Sequence, residues 1–344
     1  MYEELKQLPS ALLPWYEENK RDLPWRQDQN PYHIWVSEIM LQQTRVEAVK
    51  GYYARFLAAL PTIAALAQAE DELLLKLWEG LGYYSRVRNF KKAAQVIVSK
   101  YGGEFPRNYT DVLALPGIGE YTAGAICSIA FGQKTPAVDG NVLRVMARLQ
   151  ADETPIDLPA RKREVQALLA EVYPENAGDF TQALMELGAT VCGPNRAPDC
   201  ENCPCKHLCR GYRQGNAAEL PVKKPKKGRR IEEKTLFILR CEGQYALIKR
   251  PDTGLLAGMW QFPEIPGIWE AGEAIEKLGI SVKEVHRQLD KRHIFTHIEW
   301  QIRGIFLEIS EKNHDFQWFF DHEVAHFAAL PTAYRQFWDA REDF

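Results

Sequence analysis

The chain has 344 residues, a formal net charge of -3, 46% hydrophobic residues and 26% charged residues. That balance describes folded globular protein in two domains, with room for three modules, and excludes a disordered or strongly basic nucleic-acid-binding chain, so any DNA contact must use locally concentrated charge. MYEELKQLPSALL has no basic segment followed by an apolar core, and no apolar run reaches membrane-spanning length, so a cytoplasmic protein without membrane contact is expected.

In chain order, helices are predicted from Pro31 to about residue 215. In IWVSEIMLQQTRVEAVKGYYARFLAAL, the residues Ile34, Leu41, Val46, Val49, Tyr53 and Phe56 recur at roughly helical spacing. Glu38 falls in the middle of a helix beginning near Tyr32. A glutamate inside a helix is usually a solvated surface group. This one is flanked at helical spacing by Ile34, Trp35 and Leu41, so desolvation would raise its pKa and keep a proton available near neutral pH.

A further helical stretch, Leu73 to Trp78, ends at the Gly80 and Gly82 turn. LPGIGEYTAGAI, Leu115 to Ile126, has a turn containing Gly117 and Gly119 that leads into a helix, so backbone N–H groups and the positive helix end can face a phosphate. The pattern resembles a helix-hairpin-helix, although a glycine-rich turn between helices is also a common structural device. Twenty residues after Gly119 comes Asp139, in TPAVDGNVLRVMAR.

Five of the seven cysteines, Cys192, Cys200, Cys203, Cys205 and Cys209, fall within eighteen residues. In a cytosolic chain this clustering points to a metal centre and not to disulfides. LPVKKPKKGRR, Leu220 to Arg230, is proline-interrupted and basic, which marks a linker. Residues 211 to 235 carry eight Lys or Arg against three Glu, while residues 236 to 344 carry twelve against seventeen acidic residues. Lys223, Lys224, Lys226 and Lys227 are therefore candidate phosphate contacts. Beyond the linker, TLFILRCEGQYALIKRP places two apolar strands around Glu242 and Gly243, and IEWQIRGIFLEI alternates like another strand, so the C-terminal domain is mixed α and β.

Taken in order, WVSEIMLQQT, GLGYYSR, LPGIGEYTAGAI, VDGNV and the cysteine cluster resemble the MutY branch of the endonuclease III superfamily over nearly the whole chain. The resemblance implies a multidomain fold: an all-α helix-hairpin-helix glycosylase domain with an iron-sulfur module, followed by an α+β MutT-like (Nudix-fold) domain. It divides the chain into 1–215 (a six-helix barrel at about 30–135, and an iron-sulfur module from 1–29 plus 136–215), a basic linker at 216–232, and a domain at 233–344 that senses 8-oxoguanine. The implied activity is removal of adenine paired with 8-oxoguanine or guanine in double-stranded DNA, by a bacterial, nucleoid-associated monomer.

By the same resemblance Glu38 protonates the departing adenine and Asp139 stabilises the positive charge on the sugar, with a transient covalent bond from Asp139 to the sugar, later displaced by water, as an option. The chemistry needs both groups: the base anion is a poor leaving group and the sugar passes through an oxocarbenium-like state. Strand-cutting relatives carry a lysine at position 121, whose amine attacks the sugar. Tyr121 lacks that amine, so no lyase activity is expected, and the resemblance places its phenol near Asp139, where it can orient the carboxylate. Trp25, Arg26, Asn141 and Gln182 resemble adenine-pocket residues, although Trp25 is equally readable as core and Asn141 as a helix cap. Gln43 and Tyr83 match residues that enter the base stack, with core packing the competing reading of Tyr83.

The cysteine spacing resembles a [4Fe-4S] ligand set with one extra residue in the first gap. Cys192, Cys200, Cys203 and Cys209 are the assigned ligands and Cys205 is the spare, able to replace Cys203 or Cys209; four thiolates also suit zinc. In the C-terminal domain Phe295, Thr296 and His297 stand where the family reads the damaged base with Phe-Ser-His, and the threonine keeps the hydroxyl. No acidic Nudix box is visible in residues 236 to 344, so no nucleotide pyrophosphatase activity is expected. Two competing functions are a bifunctional glycosylase and lyase acting on oxidised pyrimidines, which Tyr121 opposes, and a non-catalytic DNA-binding protein, which has no need for Glu38 and Asp139 together.

Overall fold

The computed structural model describes residues 2–194, 197–225, 228–341 and 344. The chain forms two compact units, one made of Met1–Gln68 with Asn89–Pro225 and the other of Ala69–Arg88 with Lys226–Phe344. Of the linker lysines, Lys223 and Lys224 are exposed, while Lys226 and Lys227 lie outside the described residues. No helix among the described residues is long and apolar enough to cross a membrane.

The first unit is helical throughout. The Pro31–Leu41 helix starts where the Asn30 side chain accepts a 2.9 Å bond from Tyr32 N–H, with Pro31 in the first turn. Tyr32 and the run Ile34–Met40 are all buried, so this helix is enclosed on every side. It ends before Gln43, whose φ of 63° turns the chain into the Val46–Ala59 helix. The Glu120–Phe131 helix is equally enclosed, is closed by Gly132 at φ 65°, and packs against Pro31–Leu41. Gly124 makes room for the next segment: a Cβ there would stand 2.4 Å from Pro136 O. The extended stretch through Pro136 delivers Asp139 to the N-cap of the Gly140–Gln150 helix.

The Ala177–Thr190 helix is the hub of this unit, packing against Leu8–Asn19, Glu120–Phe131 and Gly140–Gln150. Its Phe180, Ala183, Leu184 and Leu187 share one core with Leu8, Leu12, Val142, Val145, Met146 and the buried thiols of Cys205 and Cys209.

The second unit is built on a seven-stranded sheet of β1 (Arg230–Cys241), β2 (Gln244–Lys249), β3 (Trp260–Gln261), β4 (Glu264–Pro266), β5 (Val282–Ile294), β6 (Ile298–Ile309) and β7 (Gln317–Phe320). The order is β3-β2-β1-β6-β5, with β4 on β1 and β7 on β2. The central β1–β6 pair is parallel, aligning Leu236 with Gly304, and its neighbours are antiparallel. Glu242 at φ 50° and Gly243 at φ 75° make the tight β1–β2 hairpin. Leu236 and Ile238 face one core with Phe306 and Phe337, whereas Phe237 and Leu239 face another with Ile305 and Ala274. Burial on both faces explains why β1 reads as a continuous apolar run.

The sequence division keeps 69–88 within the barrel and runs the linker to residue 232. In the structure β1 already begins at Arg230, and 69–88 belongs to the second unit. The physical reason is a set of polar contacts within that unit. Lys76 Nζ donates to the carbonyls of Val324 (3.4 Å) and Ala328 (3.2 Å). Glu79 Oε1 accepts from Leu330 N–H and from the Arg335 guanidinium, each at 2.9 Å.

Candidate active site

Three buried or half-buried acidic groups meet in the first unit. Glu38, 5% exposed, sits mid-helix and accepts a 2.5 Å hydrogen bond at Oε2 from the Tyr121 phenol in the first turn of Glu120–Phe131. Burial raises the Glu38 pKa from 4.5 to about 7; the Tyr121 hydrogen bond opposes that rise, the Asp139 charge adds to it and Arg26 opposes it. Tyr121 is held well above the ordinary phenol range by burial and by the two nearby carboxyls, so it stays a donor.

Asp139 caps the Gly140–Gln150 helix, accepting from Val142 N–H at 2.8 Å and from the Asn141 amide at 2.7 Å. Burial raises its pKa, and those two bonds together with Arg144 work against the rise. The structure thus brings Glu38, Tyr121 and Asp139 together, but the phenol bonds Glu38 and not Asp139. The residue that orients Asp139 is Asn141, whose Oδ1 is in turn held by Arg144 at 2.9 Å. Arg144 also donates to Gly188 O at 2.7 Å and to Cys192 O at 2.8 Å. Gly188 is required at this crossing, because a Cβ would stand 2.8 Å from the Asn141 Cβ.

Of the other pocket candidates, Trp25 is 7% exposed and packs edge-on against Tyr53 at 5.6 Å, a core contact. Arg26 donates to Glu186 Oε2 at 2.8 Å and lies over the Tyr16 ring. Gln182 is half-buried on the hub helix, beside Thr181, which bonds Ser128 and Tyr173. Sequence reasoning missed Glu186, Arg144 and Arg148. The available signals were an acidic residue within the apolar run ALMELGATVC, as with Glu38, and an arginine pair at i, i+4 on the helix that Asp139 opens.

The glycine turn is built as its residues suggest. Gly117 has φ 76°, and a Cβ there would stand 2.6 Å from the Asn89 Cβ, so no other residue fits. Gly119 caps the Glu120–Phe131 helix, whose first N–H groups have no partner within the helix.

All five clustered cysteines line one pocket, with Val145, Arg148 and Leu187 among its walls. Arg148 donates to Cys192 Sγ at 3.2 Å and Cys209 Sγ to Arg148 O at 3.3 Å. Burial pushes the thiols of Cys192, Cys200 and Cys209 up, that of Cys209 to about 11. A Cys205–Cys203 hydrogen bond holds Cys203 low and Cys205 high. Among the described residues no group of three or more His, Cys, Asp or Glu side chains stands in a metal-binding arrangement. Asn195 and Arg196, in the longer first loop, lie outside the described residues.

In the second unit Phe295, Thr296 and His297 form the turn between β5 and β6. Phe295 is anchored edge-on to Trp300 at 4.8 Å, while Thr296 and His297 are exposed. Tyr83 is 52% exposed, not core, and its hydroxyl lies 2.8 Å from Thr296 Oγ1.

Residues 36–175 match the family of HhH-GPD superfamily base excision DNA repair proteins, and residues 235–340 match the NUDIX domain family. The adenine DNA glycosylase of Homo sapiens is 35% identical over 95% of this chain and 72% of its own length. That of Arabidopsis thaliana is 37% identical over 89% of this chain, which spans 57% of that protein. A solved structure described as a thermostable thymine-DNA glycosylase superposes with a TM-score of 0.56 at 31% identity, covering 62% of this chain and 98% of its own.

Proposed function

The chain belongs to the adenine DNA glycosylase family, and from that premise we propose that it hydrolyses the N-glycosidic bond of adenine paired with 8-oxoguanine or guanine in duplex DNA, leaving the strand intact. The observation that carries this reading is Glu38, a carboxyl raised to about 7 by burial and held by a phenol within the influence of Asp139.

The base must be flipped out of the stack to reach this interior. With Oε2 engaged by Tyr121, Glu38 Oε1 is the oxygen that carries the transferable proton. As the C1′–N bond breaks, its electron pair goes to the base, and the Glu38 proton goes to a ring nitrogen, so adenine leaves neutral. Asp139, fixed by Val142 N–H and Asn141, faces the oxocarbenium-like sugar as an anion, or bonds it transiently. Water then adds to C1′ and returns a proton to Glu38. No amine stands at position 121 to attack the sugar, which supports a monofunctional enzyme.

Several finer assignments belong to the same proposal. The turn at Gly117 and Gly119 takes a backbone phosphate, and Gln43 and Tyr83 enter the stack. Phe295, Thr296 and His297 read the opposite base, a role supported by the 2.8 Å Tyr83–Thr296 contact on one exposed surface. Arg26, Asn141 and Gln182 border the adenine. Cys192, Cys200, Cys203 and Cys209 would hold a [4Fe-4S] cluster: their thiolates suit it, and Arg148 supplies a cationic donor to the Cys192 sulfur. Bound there, the cluster would order the 192–209 loop for DNA contact and take no part in bond cleavage.

The test is single-turnover cleavage of a labelled duplex with adenine opposite 8-oxoguanine, beside an adenine–thymine control, before and after alkali. Breaks only after alkali and only in the mismatched duplex are expected. Nicking without alkali would overturn the monofunctional reading, and no base release would overturn the enzymatic one.

A further inference from the structure

Resting on that reading, we propose that Glu186 is a positioning residue of the reaction: it pins the Arg26 guanidinium beside the catalytic pocket and fixes how much positive charge the acid Glu38 feels. Glu186 is completely buried on the hub helix. A carboxylate so enclosed must be paired, and its two partners come from one N-terminal segment. Oε1 accepts from Arg21 Nε at 2.6 Å, and Oε2 accepts from Arg21 Nη2 at 3.0 Å and Arg26 Nη2 at 2.8 Å. Arg26 is fixed further by donating to Arg21 O at 3.1 Å and by lying 5.5 Å from the centre of the Tyr16 ring.

The placement matters because of what each element touches. The Pro24–Arg26 turn packs on Pro31–Leu41, the helix of Glu38, and the Glu186 helix packs on those that carry Tyr121 and follow Asp139. Glu186 therefore ties the Arg26 turn to the helices that frame the site. The charged and titratable groups facing Glu38 are Tyr121, Asp139 and Arg26; those around Glu186 are Arg21, Arg26 and the Tyr16 phenol. Within this cluster the Arg26 charge favours the ionised form of Glu38 and offsets part of its desolvation, while Glu186 and Arg21 set how far that charge is neutralised.

The experiment is adenine release under single-turnover conditions across pH for the wild type, E186Q, E186D and R21Q, with thermal unfolding run on each. A general acid must be protonated, so activity falls as pH rises through the Glu38 pKa, and that alkaline limb is the readout. Gln keeps the reach and one oxygen for Arg26 but removes the countercharge, so the E186Q limb moves down by about one pH unit. E186D, which restores the charge, returns it towards wild type. R21Q removes a positive charge from a half-exposed position and moves the limb up, a test that stands even if E186Q does not fold. An E186Q limb that stays or rises, or an R21Q limb that does not rise, overturns the proposal, as does a rate reduced by one factor at every pH. Failure of the wild type to release adenine from any duplex would instead defeat the functional reading on which the proposal rests.

Discussion

The Tyr121 hydroxyl donates a 2.5 Å hydrogen bond to Glu38 Oε2 across 83 positions of sequence. The bond favours the ionised carboxylate and so restrains the rise that burial imposes. In Y121F that restraint is lost and Glu38 moves above 7. The alkaline limb of adenine release is expected to shift upward by about one pH unit, with the backbone still uncut. A limb at the wild-type pH would remove Tyr121 from the control of Glu38.

Glu38 also makes stability depend on pH. Its folded value of about 7 lies above the ordinary 4.5, so the folded state binds the proton more tightly than the unfolded chain does. Its contribution is complete below pH 4.5 and is lost as pH rises through 7. Glu38→Gln removes the ionisable group, so the variant should be more stable than wild type at pH 8 by about 3 kcal/mol, with the advantage shrinking towards pH 4.5. Adenine release should be abolished. Denaturant unfolding at pH 5 and pH 8 measures the first effect; equal gains at both values would contradict it.

Gly124→Ala tests how Asp139 is delivered. The added Cβ meets Pro136 O at 2.4 Å, a backbone atom that cannot swing aside. A loss of about 2 kcal/mol in stability is expected, together with slower adenine release as the segment before Asp139 shifts. Wild-type stability would mean that the helix and this segment are not in the tight contact described.

The cysteines can be told apart by metal analysis. C192S, C200S, C203S and C209S should each lose iron and acid-labile sulfide, whereas C205S should retain both. Iron lost from C205S but kept in C203S or C209S would reassign the ligand, and zinc in place of iron would replace the cluster with a tetrathiolate site.

Local pattern carried much of the architecture. Helical spacing around Ile34 and Leu41 marked the helix that runs from Pro31 to Leu41, and alternation in IEWQIRGIFLEI marked β6 from end to end. The apolar flanks of Glu38 announced its burial, because a side chain three or four residues away on a helix shares its face. Gly117 was legible for a local reason as well, since its turn needs a positive φ.

Long-range partners were not legible in this way. Nothing near Tyr121 in sequence distinguishes Glu38 from Asp139 as its acceptor; the crossing of two enclosed helices makes that choice. Nor does the apolar pattern of 69–88 reveal that Lys76 and Glu79 bind backbone groups and an arginine some 250 positions later. The apolar run around Glu186 signals its burial as the flanks of Glu38 do, but not that Arg21 and Arg26 are its partners. Sequence by itself determined the helical character from Pro31 onward, the two strands around Glu242 and Gly243, the strand at Ile298–Ile309 and which side chains have the right chemistry, because short-range sterics and periodic burial decide those. Only the tertiary structure decided which donor meets which acceptor, because a buried polar group must pair with whatever the packing brings within reach.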